Sequence, residues 1–192
     1  MQFVSVSTVS RLKHISLYEG RYINRAGNEK VYEFVSRKHE ISSLEDIQDQ
    51  RCDGVVIAAF DEGFSHILLE REFRPAVGDF VYNFPAGLID PGESASEAGA
   101  RELREETGLE IVDILDSLSP AYALSGLSNE LSQLMICTVR GEFGGEPEEN
   151  EEIEANWYSK AAVRRLLATA KFSARAQLLC WLWTSGAEVF HI

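Results

Sequence analysis

Residues 54–60 (Gly-Val-Val-Ile-Ala-Ala-Phe) are apolar at every position. That is the pattern of a strand buried on both faces. Asp61, Glu62 and Gly63 then predict a hairpin turn, with residues 66–71 as its partner strand. Residues 30–37 alternate instead, placing Val31, Glu33 and Val35 on one side and Tyr32 and Phe34 on the other, so a strand is predicted there too. β-Branched and aromatic residues at 13–18 and 21–24, with a turn signal at Ala26, Gly27 and Asn28, predict further short strands upstream. The polar stretch 42–53 joins two parts. Residues 131–139 predict another buried strand and 153–158 a short one. A helix is predicted over 94–107, where Ser94 and Glu97 form a capping box. Gly108 stands where a helix end takes a left-handed residue. Two more helices are predicted, over 160–170 and 174–184.

Strands therefore precede, flank and follow one central helix, and two helices finish the chain. This is a mixed α/β class, without regular βαβ alternation. At 192 residues the chain is one domain with a small appended subdomain. The boundaries expected are a β-sheet subdomain over 1–48 and the main domain over 49–192.

Charge narrows the function. Lys plus Arg is 18 against 31 Asp plus Glu, a net charge of −13. Such a chain is a poor general binder of nucleic acid or of an anionic membrane, so neither is an expected partner. A phosphorylated substrate needs a local reversal of sign, from arginines or bound cations. Cys52, Cys137 and Cys180 are far apart and odd in number, as suits a reducing cytoplasm. No apolar run reaches membrane-spanning length. The start, Met1 to Val6, lacks the charged leader and apolar core of a signal peptide. His14, His39, His66 and His191 form no cluster.

The informative stretch runs from Gly87 to Leu109. A loop rich in Gly, Pro and Asp enters the helix, and positions 95, 98, 102, 105 and 106 share one stripe at 3.6 residues per turn. The stripe begins with two alanines, which admit close packing, and ends with Glu102, Glu105 and Glu106. Like charges so spaced cost about 0.2–0.5 kcal/mol per pair, partly offset by Arg101 and Arg104. Crowded carboxylates suit a hard divalent cation such as Mg²⁺. On charge alone a solvated helix face explains them equally well.

The full spacing decides between the two. Gly87, five residues, Glu93, seven residues, Arg101-Glu102, Leu103, one residue, Glu105-Glu106, one residue, Gly108-Leu109 fills nine constrained positions in 23 residues. This resembles the Nudix box, and the chain is similar to Nudix hydrolases. The resemblance implies a mixed-sheet α/β/α sandwich. It also implies hydrolysis of a pyrophosphate linked to a nucleoside, with Mg²⁺ or Mn²⁺ as cofactor. Its metal ligands are implied to be Glu102 and Glu106, assisted by Glu105 and by the carbonyl of Ala86. Glu93 and Arg101 are implied to form a structural ion pair.

The flanks resemble the ADP-ribose pyrophosphatase branch, through Pro85-Ala-Gly-Leu-Ile-Asp-Pro-Gly-Glu93 and Glu72-Phe-Arg74-Pro75. That likeness implies ADP-ribose or a related nucleoside diphosphate sugar as small-molecule substrate, with AMP and ribose 5-phosphate as products from ADP-ribose. Arg74 is implied to bind substrate. The branch is a homodimer whose N-terminal sheets swap and supply an aromatic to the adenine, for which Tyr18, Tyr22, Tyr32 and Phe34 are candidates, with Tyr32 and Phe34 foremost. Ser125 stands where the branch has proline, and Glu130 remains nearby as a substrate contact. Tyr82-Asn83-Phe84 replaces the usual Leu-Glu before Pro-Ala-Gly. The run 146–154 holds six glutamates in nine residues. By resemblance, one of Glu149, Glu151 and Glu152 activates the attacking water, with Glu105 next in line. The rival expectations are a Nudix hydrolase of GDP-mannose, a dinucleoside polyphosphate or a nucleoside triphosphate, and a catalytically silent ligand sensor.

Overall fold

The computed structural model describes residues 1–145 and 152–186. In chain order the first elements are β1 (Gln2–Arg11), β2 (Ser16–Ile23), β3 (Glu29–Ser36), α1 (Leu44–Ile47), β4 (Gly54–Phe60), β5 (His66–Arg74), β6 (Asp79–Asn83) and β7 (Ala86–Leu88). They continue with α2 (Ala95–Thr107), β8 (Glu110–Ser117), β9 (Ala121–Tyr122), β10 (Leu131–Arg140), β11 (Ile153–Ser159), α3 (Lys160–Thr169) and α4 (Ala174–Ser185). The chain divides into two compact units, one of residues 1–54 and 119–133 and the other of the remainder. No described helix is long and apolar enough to cross a membrane.

The smaller unit carries an antiparallel sheet in the order β1-β2-β3. Its core is Tyr18, Phe34 and Ile41, and the first two rings stack at 5.5 Å. The two segments predicted at 13–18 and 21–24 are one strand, β2. Gly20 does not break it, because the Tyr22 ring covers the space where a Cβ would stand. Strand β1 lacks an alternating pattern for a physical reason. Its pairing with β2 is irregular between Phe3 and Ser5 and between Thr8 and Ser10. Such bulges add a residue and throw the period of two out of phase, leaving Val4 and Val9 exposed. The polar junction at 42–53 contains α1, started by a capping box between Ser43 and Asp46.

The larger unit is layered. Its sheet follows the path β11-β5-β4-β10-β8, with β6 added on β5 and β7 on β4. β4 is buried along its whole length. Val55, Ile57 and Ala59 cluster with Ala98 and Leu103 of α2. The alternate residues Val56, Ala58 and Phe60 cluster with Val163 of α3 and with Ala176, Cys180 and Trp183 of α4. One strand thus feeds two cores, and helices cover both faces of the sheet. This is the α/β/α sandwich expected. β8, largely exposed, showed too little apolar pattern to be predicted.

Candidate active site

Helix α2 is fixed at both ends. The Ser94 hydroxyl accepts from the Glu97 N–H at 3.2 Å, and the Glu97 carboxylate accepts from the Ser94 N–H at 2.8 Å. Gly108 ends the helix at φ 79°. The buried side is Ala98, Gly99, Leu103 and Thr107. At Gly99 a Cβ would overlap the methyl of Met135, so the helix lies directly on the sheet. The stripe therefore differs from the sequence expectation. The helix turns its largest apolar side chain, Leu103, into the core, and this swings Glu105 outward to 55% side-chain exposure while Glu102 stays at 16%.

Arg101 organises the carboxylates. Its guanidinium donates twice to Glu93, from Nε at 3.1 Å and Nη2 at 3.0 Å. It also donates to Glu102 at 2.8 Å, to Glu105 at 3.3 Å and to the Leu88 carbonyl at 3.0 Å. One cation thus joins the loop to the helix and offsets the like-charge crowding. Hydrogen bonds from Arg101, and then from the Asp90 N–H, hold the Glu93 carboxyl below the ordinary carboxylate range. Its folded pKa is then below the unfolded one, so the stabilisation is full above the unfolded value and is lost as pH falls toward the folded value. Glu93→Gln is expected to flatten the acid limb of stability against pH, measured by urea midpoints between pH 6 and 3. An unchanged acid limb would remove Glu93 from this role.

The packing around the box accommodates the implied metal ligands. A Cβ at position 87 would overlap the Glu102 carboxylate, so only glycine lets this carboxylate lie on the main chain beside Ala86. Glu106 follows one turn later on the same helix. These are hard oxygen donors, and they fit a divalent cation. Among the described residues no three His, Cys, Asp or Glu side chains form a complete cage. A cation held here would therefore draw on carbonyl, water and substrate oxygens as well, as Mg²⁺ does.

The remaining predicted residues fall in several places. Arg74 ends β5, is half exposed and pairs with Glu72. Glu152 is exposed, and its carbonyl accepts from the Phe73 N–H at 3.0 Å. Glu149 and Glu151 lie outside the described residues. In the smaller unit, the Tyr32 hydroxyl donates to the Gly126 carbonyl at 2.6 Å, next to the exposed Ser125. The Lys30 ammonium lies 5.6 Å from the Tyr32 ring centre. Glu130 pairs with Arg37 at 3.1 Å. Val35, which donates to the Leu127 carbonyl and bridges to Ser128, ties β3 to this turn, so Tyr32, Ser125 and Glu130 share one region. Phe34 is 7% exposed with its ring stacked on Tyr18. Cys137 and Cys180 are buried thiols, each pushed up to about 12 by burial.

Sequence reasoning passed over Glu70. It is 1% exposed in β5 and paired in register with Asn83 on β6. It shares the face of Leu68, the α2 side of the sheet. The available signal was a glutamate directly following Ile67, Leu68 and Leu69 in a strand with neighbours on both sides.

The chain is similar to known proteins in sequence and in fold. An uncharacterized Nudix hydrolase of Schizosaccharomyces pombe is 32% identical over 129 residues, 66% of this chain and 59% of that protein. The ADP-sugar pyrophosphatase of Mus musculus is 30% identical over 145 residues, 73% of this chain and 62% of that protein. The chain thus aligns with about three fifths of the length of these relatives. A crystal structure of an ADP compounds hydrolase shares the fold, with a TM-score of 0.71 and 23% identity over 97% of each chain. The sequence model of the NUDIX domain matches residues 50–182. That span holds the box, its helix and both helical layers of the sandwich, and on this ground the chain belongs to the NUDIX domain family.

Proposed function

We propose that the protein hydrolyses the pyrophosphate bond of ADP-ribose or a related nucleoside diphosphate sugar with Mg²⁺, giving AMP and ribose 5-phosphate from ADP-ribose. The observation that carries this reading is the Glu102 carboxylate seated on the Gly87 backbone, on a helix that also bears Glu106. The name of the mouse relative supports the substrate class. Glu102, Glu106 and the Ala86 carbonyl would hold the cation, with Glu105 at its margin. When bound, such a cation neutralises the diphosphate and makes water a better nucleophile. Arg101 keeps Glu102 in place through its hydrogen bond. One of Glu149, Glu151 and Glu152 takes the proton of the attacking water. Recognition of the sugar nucleotide falls to Arg74, Tyr32, Ser125 and Glu130. Tyr32 keeps an exposed ring, whereas Phe34 serves the core.

On the same reading, residues 49–192 are the catalytic domain of a cytoplasmic homodimer, and the 1–48 sheets are exchanged between subunits. The exposed Val4, Val9 and Leu12 on and beside β1 support this assembly. Light scattering at micromolar concentration is expected to give twice the 21.5 kDa chain mass. A monomer mass would remove the homodimer.

Ser125 bears on selectivity. A serine leaves the turn freer than a proline would and adds a hydroxyl. ADP-ribose is expected to be turned over, with modest preference over other nucleoside diphosphate sugars. A panel of such compounds with Mg²⁺ tests this. If GDP-mannose or a dinucleoside polyphosphate is cleaved and ADP-ribose is not, the assignment to the ADP-ribose branch is wrong and the hydrolase reading stands.

A further inference from the structure

We infer that Gly145 is a positioning residue for Glu106, acting through a glycine seat under the carboxylate-bearing end of α2. The inference rests on the metal reading above. A Cβ at Gly145 would stand 2.5 Å from the Glu106 carbonyl carbon and the Thr107 nitrogen, and 2.6 Å from the Glu105 oxygen. Its main chain therefore lies directly on the peptide units that carry the two box glutamates. The seam is glycine on both sides. Gly108, at φ 79°, would bring a Cβ to 2.8 Å from the Gly144 nitrogen and 2.9 Å from the Gly145 nitrogen. The Gly144 N–H donates to the Thr107 carbonyl at 3.1 Å.

The opposite side of the same helical turn is equally fixed. Thr107 is 1% exposed, and its hydroxyl donates to the Leu103 carbonyl at 2.5 Å and accepts from the Leu109 N–H at 3.1 Å. The last turn of α2 is thus held between the core and the glycine seat. A site group must stay within about 0.5 Å of its working position, and a methyl in this seam asks for a larger shift. Contacts that orient metal ligands typically change metal affinity about 10–100-fold when lost.

The neighbouring glycine supplies an internal control. A Cβ at Gly144 meets nothing within 4 Å. Neither Gly144 nor Gly145 has a positive φ, so alanine at either position reports space and not backbone strain. The two adjacent substitutions should therefore behave oppositely.

The test uses the full chain with Mn²⁺ as probe, without substrate. Affinity is read by electron paramagnetic resonance, and folding by circular dichroism in chelator. Gly145→Ala is expected to keep the native spectrum and to weaken Mn²⁺ binding about 10–100-fold. Its kcat should be partly restored by raising the metal concentration, a rescue that a merely structural role would not give. Gly144→Ala should match wild type throughout. If Gly145→Ala does not fold, Gly108→Ala probes the same seam from the helix side, and Gly186→Ala, at the same φ of 79° with nothing within 4 Å of its Cβ, controls for left-handed strain at a helix end, so weakened Mn²⁺ binding is expected in Gly108→Ala and not in Gly186→Ala. Wild-type affinity in Gly145→Ala, or equal weakening in Gly144→Ala, overturns the inference. If Glu106→Gln lowers the affinity and Gly145→Ala does not, the inference alone fails. If Glu106→Gln leaves the affinity unchanged, the metal reading fails and takes the inference with it.

Discussion

Glu102→Gln and Glu106→Gln, made singly, are each expected to lower kcat at least about a hundredfold. A carboxylate that holds a cation against the diphosphate acts on charge that develops in the transition state. Single contacts of that kind are worth about 3–4 kcal/mol. The fold should survive. Removing one of several like charges from a helix face relieves repulsion, and Arg101 keeps its two bonds to Glu93 when Glu102 is changed. Steady-state turnover of ADP-ribose at saturating Mg²⁺ measures the loss, and circular dichroism checks the fold. Near-wild-type turnover in either variant removes that residue from the metal set.

The second large effect belongs to the acidic segment. Water attacking a diphosphate needs a base within hydrogen-bond reach, and on the proposed reading the box carboxylates would be taken up by the cation or by Arg101. One of Glu149, Glu151 and Glu152, changed to Gln, is expected to lower kcat roughly 10²–10⁴-fold. KM should change little, since the lost interaction is made mainly in the transition state. The other two variants should stay within a few-fold of wild type, as solvated charges do. Glu152 is held at its main chain by Phe73 of β5, which limits where its carboxylate can reach. If all three variants retain activity, the segment is a solvated acidic face and Glu105 or Glu93 becomes the next candidate.

The sequence disclosed those parts of the fold where pattern and local chemistry agree. β4 was legible because burial on both faces leaves no polar position in seven residues. α2 was legible because its cap, its left-handed glycine and its packing alanines lie in one short stretch. β1 was hidden by two bulges that break the period, and β8 by its exposure. The box glutamates were legible through spacing, but their order of exposure was not. That order follows from Leu103 claiming the core, which is a packing outcome. The glycine seat was out of reach for a further reason. It depends on which distant segment lies alongside: the antiparallel pairing of β8 with β10, with Arg140 opposite Glu110, returns the chain to the end of α2.

Product identification by mass, after incubating the full chain with ADP-ribose in Mg²⁺ and then in excess chelator, decides between a pyrophosphohydrolase and a ligand sensor. AMP and ribose 5-phosphate are expected in equal amounts with Mg²⁺, and neither with chelator. Intact ADP-ribose in both arms, with tight binding of the unchanged ligand, would contradict that expectation and identify the protein as a sensor built on the same fold.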